Sequence, residues 1–329
     1  MRFKVIPIAL SRCTGIFFRG MCTEIALPRP QSDNSPLRIP ESYDDIEIPP
    51  NFPPTFNFAS YINKSHSLQQ LVKLGVDLYS IERRKGLPQY VLRLDFERDM
   101  KPVIQFLHDQ GLPPDRLGYF ITKNPLIFKE HCDDMLVRVN YLESKRFTRE
   151  QIVRILDKNP FWLMFSTQRI DRRLGFFQKT FSLSGSEVRH VTCAAPKLIT
   201  YAMEHVRKST FSIREEMGFE AMEMKTLLLK LPKIWMMNHD SLMGRFQYVH
   251  KDMEISHEQL CQDPHILLSR EHRIRQRHEF LKFIGKAQYD PKKDLYVSLK
   301  NLVVGTDEEF VFNIAKSSMP TYNAFLRTL

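Results

Sequence analysis

The chain has 329 residues, 43% hydrophobic and 26% charged, enough apolar content for a large core and too much for a disordered chain. Lys and Arg exceed Asp and Glu by 48 to 38, a net charge of +10 that favours a polyanionic partner: nucleic acid or an anionic membrane. Five cysteines without a CxxC argue against a disulfide framework, and no apolar run approaches the ~18 residues that a membrane-spanning helix needs.

The first 23 residues carry Arg2, Lys4, Arg12 and Arg19 and no acid before Glu24. Short apolar runs lie between these charges, as in a mitochondrial transit peptide, and residues 1–27 are assigned to one. A secretory signal fits less well, because Arg12 and Arg19 interrupt its apolar stretch. Residues 28–60 form a linker or arm. Eight prolines between Pro28 and Pro54, with Glu41, Asp44, Asp45 and Glu47, leave no helical or strand period.

A repeat follows. Pro125, Pro160, Pro196, Pro232 and Pro264 are separated by 35, 36, 36 and 32 residues. Ten residues after each proline stand Met135, Ile170, Val206, Leu242 and Ile274; seventeen after stand Leu142, Phe177, Ile213, Val249 and Leu281. Two and three after come apolar pairs such as Trp162-Leu163 and Ile234-Trp235. With the residues at +14, apolar at Val139, Leu174 and Phe246 but not at Thr210 and His278, the spacing is that of one buried helix face. A turn and a second helix follow, opened by the capping boxes Thr148…Gln151, Ser184…Glu187 and Ser256…Gln259. The residue before proline avoids the α region, so that helix stops there. Helix, turn, helix, proline stop and apolar staple cannot bury two faces alone; stacked units can. The predicted fold is an all-α, right-handed-type helical-repeat solenoid over 61–300. An earlier unit begins near Pro88, the period is lost after Gly285, and 301–329 reads as a C-terminal helical cap.

Proline followed by an apolar pair distinguishes this unit from tetratricopeptide and pentatricopeptide repeats of similar length. The pattern resembles the mitochondrial transcription termination factor (mTERF) family from about Ser67 to Leu329. LGVDL (Leu74–Leu78), LRLDFE (Leu92–Glu97), RLGFFQK (Arg173–Lys179) and AQYDP (Ala287–Pro291) are similar to one branch of that family. The resemblance implies a curved, half-ring solenoid in the mitochondrial matrix that binds nucleic acid. It implies control of transcription from mitochondrial DNA, or ribosomal RNA binding during large-subunit biogenesis, with transcription or ribosome-assembly proteins as further partners. A monomer is expected.

Thirteen residues after the prolines stand Arg138, Arg173, Ser209, Arg245 and Arg277. At about 100° per residue this position borders the buried stripe, so the expectation is a row of guanidinium groups at the lip of a groove, facing phosphate. Arg172, Arg207, Lys208, Arg273 and Arg275 would thicken it. Alternatively, the arginines snorkel along helix borders and pair with acids of the next unit. Aromatic residues at +16 (Tyr141, Phe176, Tyr248, Phe280) are expected to pack in the core more than to stack on bases. His257, Cys261 and His265 have i, i+4, i+8 spacing, but Pro264 breaks the helix and no fourth ligand is evident, so no metal is assigned. The P-loop, GxGxxG, HExxH and GxSxG motifs are absent, and neither catalysis nor a cofactor is expected. A competing reading is a protein-interaction scaffold whose basic groove takes an acidic partner.

Overall fold

In the computed structural model, which describes residues 57–329, left-handed residues mark the repeat. Gly75, Gly111, Arg146, Ser182, Gly218, Glu254, Gly285 and Lys316 all have positive φ, between 47° and 99°. Their spacings are 36, 35, 36, 36, 36, 31 and 31 residues, so eight units lie among the described residues. Each ends the first helix of its unit with the sharp reversal that a left-handed residue provides. In seven units the second helix begins three residues later, as in Arg149–Lys158 after Arg146 and Gly185–Ala194 after Ser182. Residues 1–27, where a transit peptide is expected, and residues 28–56 lie outside the described residues.

The three expected capping boxes are formed. Two more, Glu220…Glu223 and Thr306…Glu309, open helices in other units. The proline staples are short helices, such as Pro125–Lys129, Trp162–Met164 and Pro232–Met236. They bury the expected pairs, including Ile127-Phe128, Leu198-Ile199 and Ile266-Leu267. Pre-proline residues link neighbouring units: the Asn124 side-chain amide donates to Pro160 O at 2.9 Å, and that of Asn159 to Pro196 O at 3.2 Å.

First helices stack on first helices and second on second, making a two-layered all-α solenoid; the described residues contain no strand. The residues at +10 and +17 are buried in all five proline-marked units. Ring packing continues the core across units, with Phe177 parallel to Phe181 at 6.0 Å and Phe181 edge-on to Trp235 at 5.3 Å. No described helix is long and apolar enough to cross a membrane.

Candidate nucleic-acid interface

The arginines at +13 do not form an exposed row along an open groove; Arg173 borders a surface hollow, but with its guanidinium turned inward. Arg277 is 0% exposed and Arg173 7%. The Nη1 of Arg277 donates to Leu302 O and Val304 O at 3.1 and 3.0 Å, and its Nη2 to Gly305 O at 3.0 Å and to Asp307 at 2.7 Å. Arg173 Nη1 donates to Ile199 O at 2.7 Å and Tyr201 O at 2.5 Å. Arg245 donates to Leu267 O at 3.0 Å, and Arg138 to Leu163 O and the Glu130 carboxylate. Each of the four thus clamps the carbonyl end of the next unit's staple. Helix ends leave carbonyls without intrahelical partners, and a guanidinium satisfies several at once. Burial pulls the pKa of Arg173 and Arg245 below the usual arginine range, with Arg169 adding to the effect at Arg173 and Glu271 opposing it at Arg245.

This corrects the expected row. The +13 position borders the buried stripe as its angle requires, but its side chain turns into the junction between units. Ser209 is the exception to the pattern. There His205 Nε2 donates to Met237 O at 3.0 Å, and Trp235 Nε1 to Thr210 Oγ1 at 3.1 Å.

The neighbours of the row separate into two sets. Arg172 and Arg207 are exposed and line a hollow of about 250 Å³ with Arg169, Arg173, Phe176 and Met203. It lies between two adjacent first helices, Thr167–Thr180 and Met203–Phe211. Arg169, Arg172 and Phe176 stand at i, i+3 and i+7, on one helix face. The Arg207 guanidinium lies 5.8 Å from the Phe176 ring centre and that of Arg169 4.7 Å from Phe165. No carboxylate lines the hollow. Arginine ion pairs among the described residues involve Arg98, Arg116, Arg138, Arg214, Arg275 and Arg277, and not Arg169, Arg172 or Arg207.

Lys208, Arg273 and Arg275 are not among the lining residues. Arg275 pairs with Glu271 at 2.9 Å and covers the Tyr248 ring at 4.3 Å. The repeat does not single out Arg169, because its position (+9) holds Asp134, His205 and Ser241 in three other units and arginine again only at Arg273. The second-helix layer holds another group, Arg154, Lys158 and Arg189 beside Lys233. Partial burial and the charges of Arg154 and Lys233 hold the Lys158 pKa below its ordinary value.

Of the aromatic residues at +16, Tyr248 and Phe280 are buried, Tyr141 donates to Asp171 at 2.7 Å, and Phe176 alone reaches the arginine hollow. His257 Nε2 donates to Met217 O at 2.9 Å while Cys261 Sγ approaches Glu223 O at 3.8 Å, so the two side chains turn to different carbonyls. Among the described residues no cluster of metal-ligating side chains occurs.

The family model described as mTERF matches residues 47–311. The chain is 56% identical over 275 residues to transcription termination factor 3, mitochondrial, of Drosophila melanogaster, covering 84% of this chain and 78% of the relative. The protein of the same name in Rattus norvegicus is 39% identical, with 93% of this chain and 76% of the relative covered. Transcription termination factor 4, mitochondrial, of Mus musculus is 24% identical over 69% of this chain and 65% of its own length.

Proposed function

The chain belongs to the mTERF family, and from that premise we propose that it binds nucleic acid in the mitochondrial matrix and regulates expression of the mitochondrial genome there. Its relatives are named as mitochondrial transcription termination factors, which supports transcription as the step controlled. The observation that carries binding is the hollow of Arg169, Arg172, Arg173 and Arg207, free of carboxylates and flanked by Phe176. None of the four has an ion-pair partner among the described residues, three of them (Arg169, Arg172 and Arg207) are exposed, and guanidinium matches phosphate geometry. Like charges gathered without acids are stabilised by an incoming polyanion, which releases condensed counterions as it binds. The Phe176 face supplies a stacking surface where a strand is unpaired.

The buried clamps Arg138, Arg173, Arg245 and Arg277 act on the interface indirectly. They hold successive first helices in register, so the hollow exists before ligand arrives and less ordering is needed on binding. Phosphates of mitochondrial DNA and of ribosomal RNA both suit this surface, and RNA binding would serve large-subunit biogenesis. The acid-free leader is imported and removed by cleavage between about Arg12 and Pro30; mature protein that retains Met1–Arg19 peptides in bulk would contradict this.

Crosslinking in mitochondria, followed by sequencing of the bound nucleic acid, tests the reading. Enriched segments of mitochondrial DNA or ribosomal RNA are expected, reduced by the combined Arg169→Ala, Arg172→Ala and Arg207→Ala substitutions. Background recovery from the parent chain would reject it and favour an interaction scaffold with an acidic protein partner.

A further inference from the structure

One unit departs from the regularity of the rest. After Gly75, Gly111, Arg146, Ser182, Gly218, Glu254 and Lys316 a helix starts three residues on, but none follows Gly285. Residues 286–298 are non-helical until the staple-like helix Leu299–Val303 begins. The cause is local: Asp290 precedes Pro291 and so avoids the α region, and its carboxylate accepts from Lys292 N at 3.0 Å. Tyr289 and Val297 of this segment are buried, and Gln259 of the preceding second helix donates to Tyr289 O at 2.9 Å. The loop therefore closes the core beneath the missing helix without rebuilding its outer part.

What remains outside is apolar and strained. Leu295 is 66% exposed, with Tyr296 beside it at 43%. Leu295 has φ +62°, a conformation costly for leucine, and it lies outside the repeat-turn positions where such residues recur. A hollow of about 200 Å³ opens between Leu295–Val297 and Asn313–Lys316, lined also by Lys286 and Asn301. Beyond Asn301 and Asn313 a second hollow, of about 170 Å³, leads to Val304, itself 55% exposed. Lys316 and Lys286, whose ammonium also donates to Ala315 O at 2.7 Å, border the first hollow, which no acid lines; Glu309 lines the second, its carboxylate accepting from Thr306 N at 2.9 Å.

We propose that this gap is a docking site for an amphipathic α-helix of a partner protein, apolar on one side and acidic on the other, lying where the seventh second helix would. The other units show what covers the equivalent place: helices such as Arg149–Lys158 and Ala221–Lys230, which bury residues at i, i+3 and i+4. The docked helix would set such residues against Leu295, Tyr296 and the hollow, while its carboxylates meet Lys286 and Lys316. An apolar edge on a solenoid whose neighbouring surface is polar marks an interaction site.

The test uses the full chain and a fluorescent synthetic peptide with leucine at i, i+3, i+4 and i+7 and glutamate at most other positions. One control scrambles the sequence to destroy the apolar stripe, and another replaces glutamate by lysine. The striped acidic peptide is expected to raise anisotropy saturably and both controls to bind weakly. Leu295→Gly removes the apolar contact but suits the positive φ, so it should leave the melting temperature equal or higher while weakening binding by about tenfold. Equal binding of striped and scrambled peptides, or of the lysine version, would overturn the proposal. So would unchanged affinity in Leu295→Gly. Sedimentation of the chain alone covers the remaining occupant: a dimer that Leu295→Gly dissolves would assign the edge to a second copy and reject the partner helix.

Discussion

Replacing Arg277 by methionine keeps most of the buried stem and removes the guanidinium, so it isolates what the clamp contributes. Arg277 touches no solvent, and three carbonyl oxygens, those of Leu302, Val304 and Gly305, accept from it. Each acceptor left without a donor costs about 1–3 kcal/mol, and the lower end applies where water reaches part of the site. The pair with Asp307 adds about 1 kcal/mol or less, since that carboxylate is 48% exposed. The sum is roughly 4 kcal/mol, large against a total stability of about 5–15 kcal/mol. Urea unfolding of parent and mutant measures it. Hydrogen exchange should place the loosening in Leu299–Val303 and Asp307–Glu309, the elements that the guanidinium ties to its helix. A loss under about 1 kcal/mol, with exchange in those helices unchanged, would refute the clamp reasoning.

Phe177 is fully buried between Phe176 and Phe181, so Phe177→Ala should cost about 3–5 kcal/mol; an unchanged melting temperature would show the repeat register to be wrong. His278 titrates below its ordinary 6.5 because burial disfavours the imidazolium, with Glu279 and Asp252 opposing that shift and Lys282 adding to it. Its Nδ1 also lies 2.8 Å from the Tyr289 hydroxyl. The unfolded chain therefore binds the proton more readily, and the contribution of His278 is full above 6.5 and lost as pH falls through the depressed folded value. Urea midpoints between pH 5 and 7.5 should rise with pH, less steeply in His278→Gln; identical slopes would remove His278 from the account.

The solenoid was legible because two constraints repeat at one spacing: proline stops a helix, and buried positions must be apolar. Capping boxes at Thr148, Ser184 and Ser256 then placed the second helices. The left-handed turns were hidden, because Arg146, Ser182, Glu254 and Lys316 occupy the same conformation as the glycines and share no chemistry with them. The +13 arginines were visible as a row but misdirected. Their periodicity marks a role common to several units, and clamping the next staple is as periodic as facing a groove. The decisive acceptors, carbonyls such as Ile199 O and Leu267 O, belong to the backbone and leave no trace in residue type. Arg169 escapes for the opposite reason: its position is arginine in only two of five units, Arg169 and Arg273, and of these only Arg169 lines the hollow. The missing seventh second helix is signalled by Asp290-Pro291, within the stretch after Gly285 where the period is lost.

A salt titration of binding to a labelled DNA duplex tests the central claim, that the Arg169–Arg172–Arg207 hollow holds nucleic acid. Each phosphate neutralised steepens the fall of log K with log salt by about 0.9 on duplex DNA, so the folded triple alanine mutant should lose up to about 2.7 from the slope and bind more weakly. Arg277→Met, while folded, should keep the parent slope, because its guanidinium is buried on carbonyls. A folded triple mutant with the affinity and slope of the parent would contradict the account and return the arginine surface to a structural role.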